Sequence, residues 1–250
     1  MSLINESDVA AKAFLGAAYP LGNLCLIHPT QVKTAVAMGN STYNRYVNLL
    51  VMEEYELLDH FKEKGIALEK VDVFDNLMES SQRDRNFLLE LQSAFRTFIR
   101  EQITILPEAK IILIGNDEQG RKMGKKEFYL FQQVLRIQNR IISTAEEIPE
   151  NETPMQKKFR LRREQVNLAK KKQQSKEGGD KITFQDIMSS ICAELHYTVE
   201  EVSEMSIYAL HDVFERMMER QKYHTDVDSI MSGANPKKVK PKNWTRKLKD

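Results

Sequence analysis

Residues 182–223, ITFQDIMSSICAELHYTVEEVSEMSIYALHDVFERMMERQKY, limit the fold more than any other stretch of the chain. They hold two complete helix-start signals. Thr183 is a favoured N-cap with Asp186 three residues on, and Ile182 and Ile187 stand at the two positions of a hydrophobic staple. The pattern recurs at Thr198, with Glu201 as its capping-box partner and Tyr197 and Val202 as the staple. Each signal satisfies backbone N–H groups that would otherwise have no acceptor. Together they predict a helical hairpin: one helix from Thr183, a tight corner, and a second helix running from Thr198 through Tyr223.

Upstream the pattern is α-rich. Thr30 caps a short helix that Gly39 stops, and Ser41 or Thr42 caps a longer one through Lys64, with Tyr46, Leu50, Leu57 and Phe61 at helical spacing and Gly65 at its end. Residues 66–74 alternate loosely and form a candidate strand. Residues 85–103 give the most regular amphipathic helix, with Phe87, Leu88, Leu91, Phe95, Phe98 and Ile99 on one stripe and Pro107 closing it. KIILI at 110–114 reads as a buried strand, 115–124 as a glycine-rich surface loop, and 127–142 as a helix burying Phe128, Phe131, Val134, Leu135 and Ile141. The expected class is mainly α (α+β with a minor β component in the N-terminal domain) with a C-terminal helical hairpin. Four regions follow: an α-rich domain with one or two short strands at 1–148, a basic linker or exposed helix at 149–181, the hairpin domain at 182–231, and a basic tail at 232–250.

A net charge of +1 conceals a segregation. Residues 156–176 hold nine Lys/Arg and one acid, and residues 236–250 hold seven Lys/Arg and one acid, so the rest of the chain carries 21 basic and 34 acidic groups. An acidic body therefore bears two basic segments. They are solvated linker and tail, or an electrostatic handle for an acidic partner. The handle would use Lys157, Lys158, Arg160, Arg162, Arg163, Lys170, Lys171, Lys172, Lys237, Lys238 and Lys240. Two cysteines far apart, Cys25 and Cys192, provide no disulfide framework and fit a reducing compartment. Glu6 and Asp8 sit where a secretory signal needs cations, and no stretch approaches the length of a membrane span.

No catalytic constellation emerges. The sequence GNDEQGRK at 115–122 follows a strand, but Arg121 and Lys122 replace the lysine and hydroxyl of a phosphate loop, and Asp117 and Glu118 would put negative charge in the cradle. Cys192 and His196 share a helix face, yet Cys192 lies on an apolar stripe with Ile187, Met188, Ile191 and Leu195, so it reads as core rather than as a metal ligand. No enzyme, metal or cofactor is expected. Methionines concentrate in the C-terminal third, at Met188, Met205, Met217, Met218 and Met231, as in core filling or in adaptable helical contact surfaces. Trp244, among lysines, is the one aromatic anchor of the tail.

Two segments carry a family resemblance. Residues 131–140, F-x-x-V-L-R-I-Q-N-R, close a strand–loop–helix unit ahead of the basic stretch, and Met205-Ser-Ile-Tyr-Ala-Leu-His-Asp-Val-Phe-Glu-Arg216 resembles an M-[ST]-[IL]-Y-x-[LF]-x-D-x-F-x-R segment. Both are similar to proteins of the tail-gene region of tailed phages of Gram-positive bacteria, taken to be tail assembly chaperones or tail-morphogenesis factors. The resemblance implies a non-enzymatic protein of the host cytoplasm that covers apolar helical surfaces of a tape-measure or tail-tube protein, with Tyr208, Phe214, Met217, Met218 and Trp244 as partner-facing residues. Self-association, a structural place in the virion as a tail or connector component, and a nucleic-acid adaptor role for the basic segments are the alternatives. No membrane contact is expected.

Overall fold

Helices account for most of the protein in its computed structural model, which describes residues 4–58, 72–116, 120–141, 152–177 and 182–245. Among the described residues the fold is mainly α with two small antiparallel sheets. The chain opens with α1 (Glu6–Phe14), a hairpin of β1 (Tyr19–Leu21) and β2 (Cys25–Ile27), then α2 (Val32–Met38) and α3 (Asn40–Val51). A 3-10 turn (Glu54–Leu57) precedes α4 (Val73–Arg83) and α5 (Arg85–Ile99). A meander of β3 (Ile103–Leu106), β4 (Ile111–Ile114) and β5 (Arg121–Met123) leads into α6 (Lys125–Gln138). The C-terminal part contains α7 (Pro154–Glu177), α8 (Phe184–Leu195), α9 (Val199–Glu204), α10 (Ile207–Met231) and the short α11 (Pro236–Val239).

The amphipathic stripes explain the packing. Helix α5 buries Leu91, Ala94, Phe95, Phe98 and Ile99, while Phe87 and Leu88 pack half-buried at its start. The sheet buries Ile103, Ile105, Ile112, Ile114 and Met123, the alternation expected when one face of a meander covers a core. Helix α6 is the hub, touching α1, α3, α10 and the strands β1, β2 and β5. Its Phe128 and Phe131 are fully buried and meet Phe95 at ring-centroid distances of 6.3 and 5.2 Å; Phe74 lies 5.3 Å from Phe128. Burial of each such ring contributes about 1.5–3 kcal/mol. Ile141, expected inside, is half-buried and packs against the core edge.

Several boundaries differ from the sequence reading, for tertiary reasons. The helix expected through Lys64 ends at Val51. There Gln132 Nε2 donates to the carbonyls of Leu50 (3.0 Å) and Met52 (2.9 Å), and Arg136 Nη2 donates to Val51 (2.8 Å). The carbonyls at a helix end need donors, and α6 supplies them where a further turn would have. Residues 59–71 lie outside the described residues, and with them most of the candidate strand at 66–74. Val73 and Phe74 open α4 instead, with Asp72 as its N-cap. The helix expected over 85–103 stops at Ile99, where Arg100 takes a left-handed conformation (φ 60°), and Ile103 starts a strand. The glycine-rich stretch is more than a surface loop, since Arg121–Met123 pairs with β4; residues 117–119 are outside the described set.

The C-terminal pair turns out to be three helices. Both anticipated capping boxes are present: Thr183 with Asp186 on α8, and Thr198 with Glu201 on α9. The staples are weaker than their pattern, because Ile182 and Tyr197 stay exposed while Ile187 and Val202 are buried. The helix begun at Thr198 ends at Glu204, and α10 starts afresh with Ser206 as its N-cap. Ser206 also forms a β-bridge with Gln31 and donates its hydroxyl to Ala13 O at 2.6 Å. Helix α1 and the entry to α2 thus hold the break open.

Candidate interaction site

The two segments that carry the family resemblance meet in space. Arg140, just past α6, adopts φ 50° and aims its guanidinium at α10. Nη1 lies 2.7 Å from Asp212 Oδ1, Nη2 lies 2.5 Å from Glu215 Oε2, and the guanidinium carbon sits 5.2 Å from the centre of the Tyr208 ring. Tyr208, Asp212 and Glu215 recur at helical spacing, so one α10 face receives one arginine. The other motif residues are also engaged internally. Val32 N–H donates to Met205 O and Ile207 N–H to Thr30 O, both at 2.9 Å. Ile207 and Leu210 are buried, Phe214 packs half-buried against the core, and Arg216 Nη1 donates to Trp244 O at 3.3 Å. In the first segment Gln138 donates to Ile27 O at 3.1 Å, and Asn139 accepts from the Tyr43 hydroxyl.

This placement corrects the expected partner-facing set. Met217 is 5% exposed and belongs to the core, and Tyr208 is taken up beneath Arg140. Nine residues apart on one helix, they lie on opposite sides of α10, Tyr208 toward Arg140 and Met217 toward Leu195 at the end of α8. Phe214 is half-buried and Trp244 is half-buried with its carbonyl tied to Arg216; only Met218, 46% exposed, faces outward. The sequence motif recorded amphipathicity, which a helix needs for docking on its own body as much as on a partner.

The basic stretch is likewise divided by the structure. It is a helix, α7, held by its inner edge. Arg160 is bound bidentately by Glu152 (Nε–Oε1 2.8 Å, Nη2–Oε2 3.0 Å), lies 3.2 Å from Glu164 and reaches Glu54 at 3.4 Å. Lys157 joins Glu54 at 3.1 Å, and Leu161 enters the core. Lys157 and Arg160 are therefore intramolecular pins, against the expectation of an electrostatic contact. Lys158, Arg162 and Arg163 are exposed on the same helix. Lys170, Lys171 and Lys172 continue its backbone, and Lys238 and Lys240 are exposed at α11. The side chains of Lys170–Lys172 and Lys237 lie outside the described residues.

Helix α10 changes character along its length. Up to Met217 it docks; from Met218 to Met231 no residue is buried. The chain then turns through Ser232 and Gly233, and α11 lies back against α10. Between the end of α8 and the middle of α10 is an open cleft of about 390 Å3, with Leu195 and Met217 beneath Glu194, Arg220, His224 and Asp228. Met231 is 82% exposed at the tip.

Among the described residues no group of three or more His, Cys, Asp and Glu is placed to hold a metal ion, and no helix is long and apolar enough to cross a membrane. Cys25 is buried, which pushes its thiol up to about 12. Cys192 is half-buried against the core, and His196 is the left-handed C-cap of α8. His211, on the docked part of α10, lies 5.9 Å from the Phe184 ring, and burial, then the Arg140 charge, hold its pKa below the ordinary 6.5. The native state therefore favours neutral His211. The stability this gives is full above pH 6.5 and is lost as pH falls through the lower folded value. Thermal midpoints measured between pH 7.5 and 5 are expected to fall on the acid side, with a shallower fall in His211→Gln.

Among the described residues the geometry is one of docked helices with an exposed run at the end of α10. Residues 170–249, about a third of the chain, match the family model described as YomV second domain, a phage-derived family, and this likeness points to a phage origin. No curated protein and no solved structure matches the chain.

Proposed function

We propose that the protein is a phage tail-morphogenesis factor that binds helical surfaces of a partner such as the tape-measure protein and catalyses no reaction. The observation that carries this reading is the unburied run of α10 from Met218 to Met231, with the mixed polar and apolar cleft at its root. A helix that needs only its first turns to dock gains little intramolecular stability from several further turns in water, since helical stability in proteins comes mostly from packing. An arm of this kind suits helix-on-helix recognition, in which alternate turns supply the anchors. The likeness to a phage-derived family over residues 170–249, which span the arm and its returning tail, supports the same reading.

The test uses Met218→Glu together with Met231→Glu in the full-length protein. Both side chains are exposed, so folding is expected to be unchanged. In cells producing the phage, wild-type protein should co-purify with the tape-measure protein, and the double variant should lose at least about tenfold of that recovery, or about 1.4 kcal/mol of binding, while tailless heads accumulate. Equal recovery and normal tails from the variant would sink the proposal. Stoichiometric retention of the protein in mature particles would favour a structural virion component instead.

A further inference from the structure

Helix α7 faces the opposite way from an ordinary surface helix. Among its described side chains the inner edge is Lys157, Arg160, Leu161 and Glu164, charged apart from one leucine, whereas Met155, Phe159 and Val166 point outward at 68%, 62% and 53% exposure. A surface helix normally does the reverse. The outward residues have a register. Met155, Phe159, Arg162 and Val166 are spaced by four, three and four, the a/d spacing of a coiled coil, and Ala169 and Gln173 continue it along the helical backbone. Among the described side chains, the flanking e and g positions of that register hold Gln156, Lys158, Arg163 and Gln165, with no carboxylate among them. Glu164, the only acid between 156 and 176, points inward to Arg160.

We propose that this seam is the docking site for an acidic amphipathic helix of a partner protein, packed against α7 as one half of a two-helix coiled coil. The partner would place leucine-like side chains over Phe159 and Val166 and carboxylates along the basic flanks and opposite Arg162. Charge selects this occupant over the others. Two copies of α7 would bring like-charged flanks and two Arg162 guanidinium groups together, which disfavours pairing. A nucleic acid would engage the cations and leave the apolar seam in water. A membrane surface would draw Arg162, in the middle of the seam, below the headgroups. The helix is 24 residues long, about 36 Å at 1.5 Å per residue, enough for three heptads.

The experiment uses the full-length protein and two fluorescent helical peptides with leucine at every a and d position, one carrying glutamate at e and g and the other lysine. Anisotropy titration should show the glutamate peptide binding at least about tenfold more tightly, a gap of about 1.4 kcal/mol that rim and flank charges readily supply. Phe159→Glu and Val166→Glu should each abolish most of that binding, and Arg162→Glu should shift preference toward the lysine peptide. Equal binding of the two peptides, no binding of either, or unchanged binding by Phe159→Glu overturns the proposal. So does a stronger, Phe159-dependent interaction with duplex DNA or with phosphatidylserine vesicles. Should a variant melt early, the peptide charge preference of the unaltered protein still decides. The arm variant Met218→Glu/Met231→Glu should bind the glutamate peptide normally, so loss of this site and loss of the arm's function read out separately.

Discussion

Replacing Arg140 by alanine is expected to lower stability by about 2–4 kcal/mol, seen as a fall of about 5–12 °C in the thermal midpoint for a chain of this size. The guanidinium is 13% exposed and bridges Asp212, 21% exposed, and Glu215, 46% exposed, while covering the Tyr208 ring. The Asp212 contact contributes most, because Glu215 is largely screened by water. Truncation leaves Asp212 with only the longer contact to Arg216 Nε at 4.0 Å, and losing the close cation at a partly buried carboxylate costs more than the pair itself is worth. Arg140→Lys should recover only part of the loss, since an ammonium cannot grip two carboxylates and stack on a ring at once. Arg140→Ala should also raise the pKa of His211 by removing the nearby positive charge, and so flatten the acid-side fall in stability. A midpoint unchanged by Arg140→Ala would mean that α10 docks through its apolar face alone.

Arg160→Ala should have an effect of similar size but a different form. The arginine is 6% exposed on its side chain and stands among Glu152, Glu54 and Glu164, exposed by 9%, 16% and 2%. Its removal leaves three carboxylates close together, and breaking such a buried cluster typically costs about 3–5 kcal/mol. Helix α7 meets the body chiefly at the 3-10 turn that holds Glu54, with Leu161 as its one core residue among those described. The expected outcome is therefore local release of α7: faster hydrogen exchange and new protease cleavage over 154–166, with a smaller change in the global midpoint. Adding Glu164→Gln should restore part of the docking by removing the most buried of the three carboxylate charges. Protection of 154–166 in Arg160→Ala equal to that of the unaltered protein would show that Leu161 holds the helix unaided. The proposed seam on the outer face depends on this inner cluster, because a released α7 could no longer present Phe159 and Val166 at a fixed angle.

The chain's local signals were legible wherever one residue type answers one backbone need. Thr183 and Thr198 were readable as caps because a hydroxyl at that place satisfies N–H groups within its own turn, and the structure contains both boxes. The stripe of α5 and the KIILI strand were readable because burial follows their periods of 3.6 and 2. The α-rich class with a small sheet followed from those same periods. Boundaries set from a distance were not legible. Nothing local to Val51 announces that Gln132 and Arg136 will take the carbonyls of Leu50, Val51 and Met52, and nothing local to Ser206 distinguishes a cap from one more residue of a continuous helix.

The same distinction separates motif from surface. The sequence by itself determined the helix-start signals at Thr183 and Thr198, the segregation of charge, and the apolar stripes of α5 and of the C-terminal helices. It could not say which stripe faces the body, since the hydrophobic effect rewards burial against any apolar surface, inside the molecule or on another. The tertiary structure decided that. Arg140 draws the Tyr208 face of α10 onto the end of α6, and Met217 is buried on the opposite side of the helix. The carboxylates around Arg160 turn α7 so that its seam is outward, because a buried guanidinium must be met by nearby acids, and these come from Glu152 and Glu164 flanking it in sequence and Glu54 across the fold.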